Sequence, residues 1–151
     1  MSIIKAEQIH LNTVTEIIHS TIKTIYPHYY PKGAVEFFLE HHSKLNISND
    51  IDMNKVYLCF DDNNFVGTVT VNANEILRLF VLPEFQGRGF GREMLDFAEK
   101  LILSRFSEIK LAASLPAKMI YLKRNYKETE SKIIKTIYGD FLCYDVMIKQ
   151  I

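Results

Sequence analysis

Leu79-Phe80-Val81-Leu82-Pro83-Glu84-Phe85-Gln86-Gly87-Arg88-Gly89-Phe90-Gly91 runs from an alternating apolar stretch through a proline into a turn with three glycines. After it the period changes: Met94, Leu95, Ala98, Leu101 and Ile102 share one helical face, leaving Arg92, Glu93, Asp96 and Lys100 for solvent. Strand, glycine-rich turn and helix in that order put unpaired backbone amides at a helix N-terminus, where they and the helix dipole favour an anion. Glycine at 87, 89 and 91 lets phosphate oxygens reach the main chain, and Arg88 and Arg92 add cationic donors. No Gly-Lys-Ser/Thr closes the turn, which disfavours a Walker loop. The spacing G-x-G-x-G also departs from the G-x-G-x-x-G of dinucleotide sites. Glycine spacing alone does not separate such a loop from an ordinary tight turn.

Upstream of this stretch, Thr13-Val14-Thr15-Glu16 reads as a capping box opening a helix. Val14, Ile17, Ile18, Thr21, Ile22 and Ile25 form its apolar stripe until Pro27. A turn-rich loop, Tyr26 to Gly33, leads to a short helix through Ala34, Phe37, Phe38 and His41, which Asn46 to Asn49 are expected to end. Strands are predicted over 56–60, 65–71 and 75–82, joined by Asp61-Asp62-Asn63-Asn64 and Asn72-Ala73-Asn74 as antiparallel hairpins. Downstream, the pattern predicts a buried strand over 109–113 and a helix over 116–124 closed by Asn125 in the left-handed region. Two last strands, 132–138 and 141–148, turn at Gly139-Asp140. The order implies an α+β fold in which one mixed, mostly antiparallel sheet of about six to seven strands is flanked by four helices.

The 151 residues, 48% of them hydrophobic, suit one domain spanning 1–151. Lys plus Arg and Asp plus Glu both number 18, so no overall basic field exists to hold a nucleic acid. Cys59 and Cys143 each lie in an apolar run and are expected to be buried thiols outside any disulfide framework. Met1-Ser2-Ile3-Ile4-Lys5 does not resemble a signal peptide and no apolar run approaches the roughly 20 residues of a membrane span, so the expectation is a cytoplasmic protein without a membrane partner.

The stretch from Leu79 to Gly91 resembles the signature of the GNAT superfamily of acetyl-CoA-dependent N-acetyltransferases, Q/R-x-x-G-x-G/A directly after a strand ending in a V-x-P-like segment. The order of elements extends the resemblance over nearly the whole chain. It implies a three-layer GNAT-like fold, acetyl-CoA as cosubstrate, and an amine acceptor that is a small molecule or a peptide or protein N-terminus. On this resemblance the backbone of Leu79, Phe80 and Val81 pairs with the pantetheine arm where two neighbouring strands splay, and Gln86, Gly87, Arg88, Gly89, Phe90, Gly91 and Arg92 hold the pyrophosphate. The Val81 amide donates to the developing oxyanion. Ser114 stands where many members carry an asparagine that contacts the cofactor, and Asn125 stands where the family usually has glycine.

Ala117-Lys118-Met119-Ile120-Tyr121-Leu122-Lys123-Arg124-Asn125-Tyr126 is similar to the family's A-x-x-F-Y-x-x-x-G-F helix ending, which makes Tyr121 the implied general acid for the CoA thiolate. An isolated tyrosine at this spacing would read as half-buried packing. A protonated amine needs a base, and Glu75 is the candidate because some members carry a glutamate at this separation from the motif glutamine, 86 − 75 = 11 positions. Alternation would put Glu75, Leu77, Leu79 and Val81 on one face, while a merely solvated glutamate is the competing reading. Tyr29 and Tyr30, with Tyr26 and His28, lie in the loop that covers the acceptor site in relatives, or form an aromatic hinge. His41 and His42 read as one solvated and one packed histidine, because adjacent positions face different ways and no third metal ligand follows. A non-catalytic acyl-CoA sensor remains the alternative function, and a homodimer is left open.

Overall fold

The structure is a computed structural model that describes all 151 residues. Its frame is a seven-stranded sheet in the order β1-β2-β3-β4-β5-β7-β6. The strands are β1 (Ser2–Lys5), β2 (Val56–Asp61), β3 (Asn64–Asn72), β4 (Glu75–Val81), β5 (Glu108–Ala113), β6 (Lys127–Lys135) and β7 (Phe141–Gln150). All neighbours are antiparallel except β4 and β5, which run parallel and pair only at Glu75 with Lys110 and Ile76 with Leu111. Beyond Ile76 the two strands part, and the rest of β4 is left with an open edge.

The sheet separates two apolar layers. Val56 and Leu58 alternate with Cys59 along β2, the first two packing with Val14, Ile18 and Ile22, the last with Met94, Leu95 and Ala98. The first layer is built by α1 (Leu11–Ile25), α2 (Lys32–His41) and α3 (Lys44–Asp52), the second by α4 (Phe90–Leu103); α5 (Lys118–Lys123) follows β5. The α+β fold with a mixed, mostly antiparallel sheet and helices on both faces is therefore the one the sequence implied.

Several local expectations are corrected. Helix α1 begins at Leu11, two residues before Thr13, so the Thr13–Glu16 pattern lies inside it. The reciprocal cap is formed instead by Glu7 and His10 around a preceding 3₁₀ turn, where Glu7 N–H donates to His10 Nδ1 at 3.0 Å. Asn46 to Asn49 do not end a helix but belong to α3. Ser43 caps that helix by accepting from the Asn46 amide at 3.2 Å, and it buries Ile47 and Ile51. The four helices read from the sequence are present and α3 is added to them. Strand β6 starts five residues earlier than expected and ends at Lys135. Cys59 is buried but Cys143 is exposed, because β7 turns that face of its alternation outward.

Candidate active site

The glycine turn is held by its flanks. Gln86 Nε2 donates to the Val81 carbonyl at 2.9 Å, which fastens the turn onto the end of β4; Thr21 Oγ1, whose one proton goes to the Ile17 carbonyl at 2.7 Å, lies 3.3 Å from the same oxygen and brings α1 against it. Gly87 and Gly89 adopt φ of 75° and 93°, a region open to glycine at little cost, and a Cβ at either would meet nothing within 4 Å. Gly89 is the N-cap of α4 and the backbone amides from Gly87 to Arg92 find no backbone acceptor. A row of free N–H groups thus surrounds empty space at a helix start, which is a fit for a pyrophosphate. Arg92 lines that space, whereas Arg88 stacks its guanidinium over the rings of Phe85 and Phe90 at 5.4 and 5.2 Å.

From this turn a cavity of about 520 Å³ runs along the parted edge of β4. Val81 points its carbonyl to that edge, as the Gln86 bond requires, while the Leu82 amide turns the other way to Val66 on β3. A strand residue directs N–H and C=O to the same side, so the Val81 and Leu79 amides face the cavity, two residues apart. Regular alternation does not reach back to Glu75. Register passes from Thr70–Arg78 to Val71–Ile76, making Leu77 the extra residue of a β-bulge. The expected single face of Glu75, Leu77, Leu79 and Val81 is interrupted there.

A second cavity, of about 380 Å³, lies on the other side of the parted strands and takes in Glu75, Phe37, Phe38, His42, Arg78 and Tyr144. Its wall is tied across the molecule by the Gly33 amide, which donates to Asp140 Oδ2 at 2.8 Å and links the start of α2 to the β6–β7 turn. The two cavities share Tyr26, Leu79, Phe80, Ser114, Ala117 and Tyr121. Tyr121 is therefore the titratable side chain of the late helix that both cavities reach. Its ring is buried edge-on against Tyr126, 5.5 Å between centroids, and burial followed by the neighbouring Tyr26 holds its phenol well above the usual tyrosine range. Helix α5 closes just beyond it at Asn125, whose φ of 69° is the left-handed turn expected there, and the Tyr126 amide returns to the Tyr121 carbonyl at 3.1 Å.

Tyr29 and Tyr30 reach neither cavity wall. Tyr29 is exposed, and buried Tyr30 accepts a hydrogen bond from the Leu115 amide at 2.7 Å, fixing the loop that carries Ser114. Tyr26, from the same loop, lines both cavities; burial pushes its phenol up to about 12, against the opposing effect of the Ser114 side chain. Of the two adjacent histidines, His41 is solvated and His42 packed, as expected.

Sequence reasoning missed two supporting groups. Glu99 is buried under α4, bonded by Arg124, Lys149 and Tyr126. Burial alone would raise its carboxyl, but these three donors overcome that and hold it low. The signal was present: Leu95, Glu99 and Ile102 lie on one face at spacings of four and three, so a charge sits in the apolar stripe. Buried Arg78 pairs with Asp50 and His42. On β4 it alternates with buried Ile76 and Phe80, which marks it in the same way.

A family model described as an acetyltransferase (GNAT) domain matches residues 25–137, about three quarters of the chain and all of the glycine turn. The chain belongs to the GNAT acetyltransferase family. None of the curated proteins compared with this GNAT chain matches it. Among solved structures, a GCN5-related N-acetyltransferase from Rhodopseudomonas palustris superposes with a TM-score of 0.89 at 18% identity, over 99% of this chain and 95% of that one. The PaiA N-acetyltransferase of Thermoplasma acidophilum, solved in complex with coenzyme A, gives 0.75 at 24% identity, over 99% and 98%. A ribosomal-protein-alanine N-acetyltransferase from Brucella melitensis gives 0.70 at 15% over the full length of both chains. These likenesses extend the GNAT fold to both ends of the chain. No helix is long and apolar enough to cross a membrane.

Proposed function

We propose that this GNAT protein transfers the acetyl group of acetyl-CoA to a primary amine by direct attack in a ternary complex. The observation that carries the reading is the meeting of the two cavities at Tyr121: one ends on the free amides of the glycine turn, the other opens toward Glu75. Acetyl-CoA would supply an activated acyl thioester with a diphosphate tail, and the Thermoplasma acidophilum relative solved with coenzyme A supports that choice of ligand.

The residues divide the work as follows. Gly87, Gly89, Gly91 and Arg92 bind the diphosphate, with Gln86 and Phe90 shaping the turn and Arg88 contributing charge from outside it. Leu79 and Val81 offer strand-like hydrogen bonds to the amide arm, and Phe80 and Ser114 complete the passage. The Val81 amide stabilises negative charge developing on the carbonyl oxygen without reorganising, since its strand is already fixed on the other edge. Tyr121 keeps its proton through the working range and delivers it to the departing thiolate, both groups being desolvated together. Glu75 and Leu79 stand four residues apart on β4, at most about 13 Å at 3.3 Å per residue because the bulge at Leu77 shortens the span, so Glu75 takes the amine's proton through water held between them.

The test is an acetyl-CoA-dependent thiol-release screen over small amines, amino acids and peptides. Release that depends on a particular amine is expected; no amine-dependent release from a chain that binds CoA would leave it a binding protein and overturn the reading.

A further inference from the structure

The second cavity contains a buried polar group that the transfer described above does not use. His42 closes α2 with only 7% of its surface exposed, yet it lines that cavity. Arg78 Nε donates to His42 Nδ1 at 3.0 Å, and a guanidinium can only donate. Nδ1 therefore holds the lone pair and the ring proton sits on Nε2. The ring is fixed on several sides. Arg78 is itself paired with Asp50, the His42 carbonyl is bonded to His19 Nε2 at 2.6 Å, and Phe80 packs edge-on at 5.7 Å.

Nε2–H has no acceptor within the protein, since the Arg78 bond is the only one the ring makes. It is not sealed off either, because Thr70 Oγ1 is the sole fully buried side-chain polar atom without a partner. A donor that is unpartnered, held rigidly and still accessible is available to a ligand in the cavity that His42 lines. The cavity combines apolar Phe37, Phe38, Leu79 and Leu142 with polar Glu75, Ser114 and Tyr144, so an acceptor that fills it meets a largely apolar wall and, at His42, a donor that a ligand oxygen can answer in place of water.

We propose that His42 Nε2–H is a fixed, neutral hydrogen-bond donor for the acceptor substrate, and that the preferred acceptors are amines with an apolar skeleton bearing a carbonyl oxygen. This rests on the second cavity being the acceptor side. Because Asp50 offsets the Arg78 charge, the requirement is for the oxygen and not for an anion; an amide and a carboxylate both meet it.

The experiment compares kcat/KM for matched amines with acetyl-CoA: phenethylamine against phenylalaninamide and phenylalanine, and hexylamine against 5-aminopentanamide and 5-aminopentanoate. The short and long series cover different spans between nitrogen and oxygen, and the amide and carboxylate arms separate the two sources of oxygen. In at least one series the oxygen-bearing amine should be preferred by on the order of 10- to 100-fold, the effect of leaving a buried donor unanswered. His42→Asn keeps an acceptor for Arg78 but withdraws the donor from the cavity, whereas His42→Gln places an amide N–H near the Nε2 position and abandons Arg78. The preference should collapse toward unity in His42→Asn and survive in His42→Gln; a merely structural His42 would give the reverse order of damage and leave the ratio unchanged in both. Each ratio is internal to one variant, so partial loss of fold does not disturb it. Amine acetylation without any preference in wild type, or with a preference that persists in His42→Asn, overturns this proposal alone. Failure to acetylate any amine overturns the acetyltransferase reading with it.

Discussion

Tyr121 lines both cavities and packs its ring on Tyr126, so Tyr121→Phe removes the proposed proton donor and little packing. Turnover should fall on the order of 10²-fold while CoA affinity stays within a few fold, since a thiolate leaves fairly well and water partly substitutes. Paired steady-state and calorimetric measurements check both halves. Burial, followed by the neighbouring Tyr26, holds the Tyr121 phenol above its ordinary range. The rate should therefore show no Tyr121-dependent loss as the pH passes through about 10, where an ordinary tyrosine would be half deprotonated. Glu75→Gln should lower the rate most toward low pH, where less free amine is present. His42 gives a stability prediction of definite sign. Burial, followed by Arg78, His41 and His19, takes its pKa down to about 3 from 6.5. As pH falls below about 6.5 the unfolded chain takes a proton that the folded one refuses, so stability is full above that value and declines toward about pH 3 at about 1.4 kcal/mol per pH unit. Urea unfolding of wild type and His42→Asn between about pH 6.5 and about pH 5, above the titration of most carboxylates, should show the slope reduced in the variant.

Among elements, the turn from Gln86 to Gly91 separates binding from folding unevenly. Gly89→Val would place a branched residue at φ 93°, so it strains the backbone as well as filling the ligand's space. Gly91 is the cleaner position: its φ is not positive, and a Cβ there would touch only Val81 Cγ2 at 3.6 Å. Gly91→Ala should leave the melting temperature unchanged or raise it, by the helix preference for alanine of up to about 1 kcal/mol, while weakening CoA binding. Calorimetry and thermal melts on the same preparation decide it. The strand–turn–helix and the helix closed by Asn125 were legible in the sequence because Pro83, the glycines and the apolar period act locally. Helix α3 was not, because Asn46, Ser48 and Asn49 are weak helix formers and the segment is held by burying Ile47 and Ile51 against α1. The β4 bulge, the partnership of Arg78 with His42 across 36 residues, and the entry of Tyr26 rather than Tyr29 or Tyr30 into the cavities all depend on tertiary geometry.

At the scale of the molecule, the sheet runs from β1 to β6 and opens once, between β4 and β5, with α1 and α4 clamping the parted end from opposite layers. A ligand lying in that opening binds only the folded chain. CoA at a hundred times its dissociation constant should raise unfolding stability by about 2.7 kcal/mol, read as a shift in thermal or urea midpoint. No shift at saturating CoA would overturn CoA as the ligand of that opening. Direct transfer to an amine is tested by the ratio of N-acetylated amine formed to CoA thiol released, determined on one reaction by mass spectrometry and thiol titration. A ratio of one is expected, with both products absent when the amine is withheld; thiol release that proceeds equally without amine, or without acetylated product, would contradict transfer to an amine.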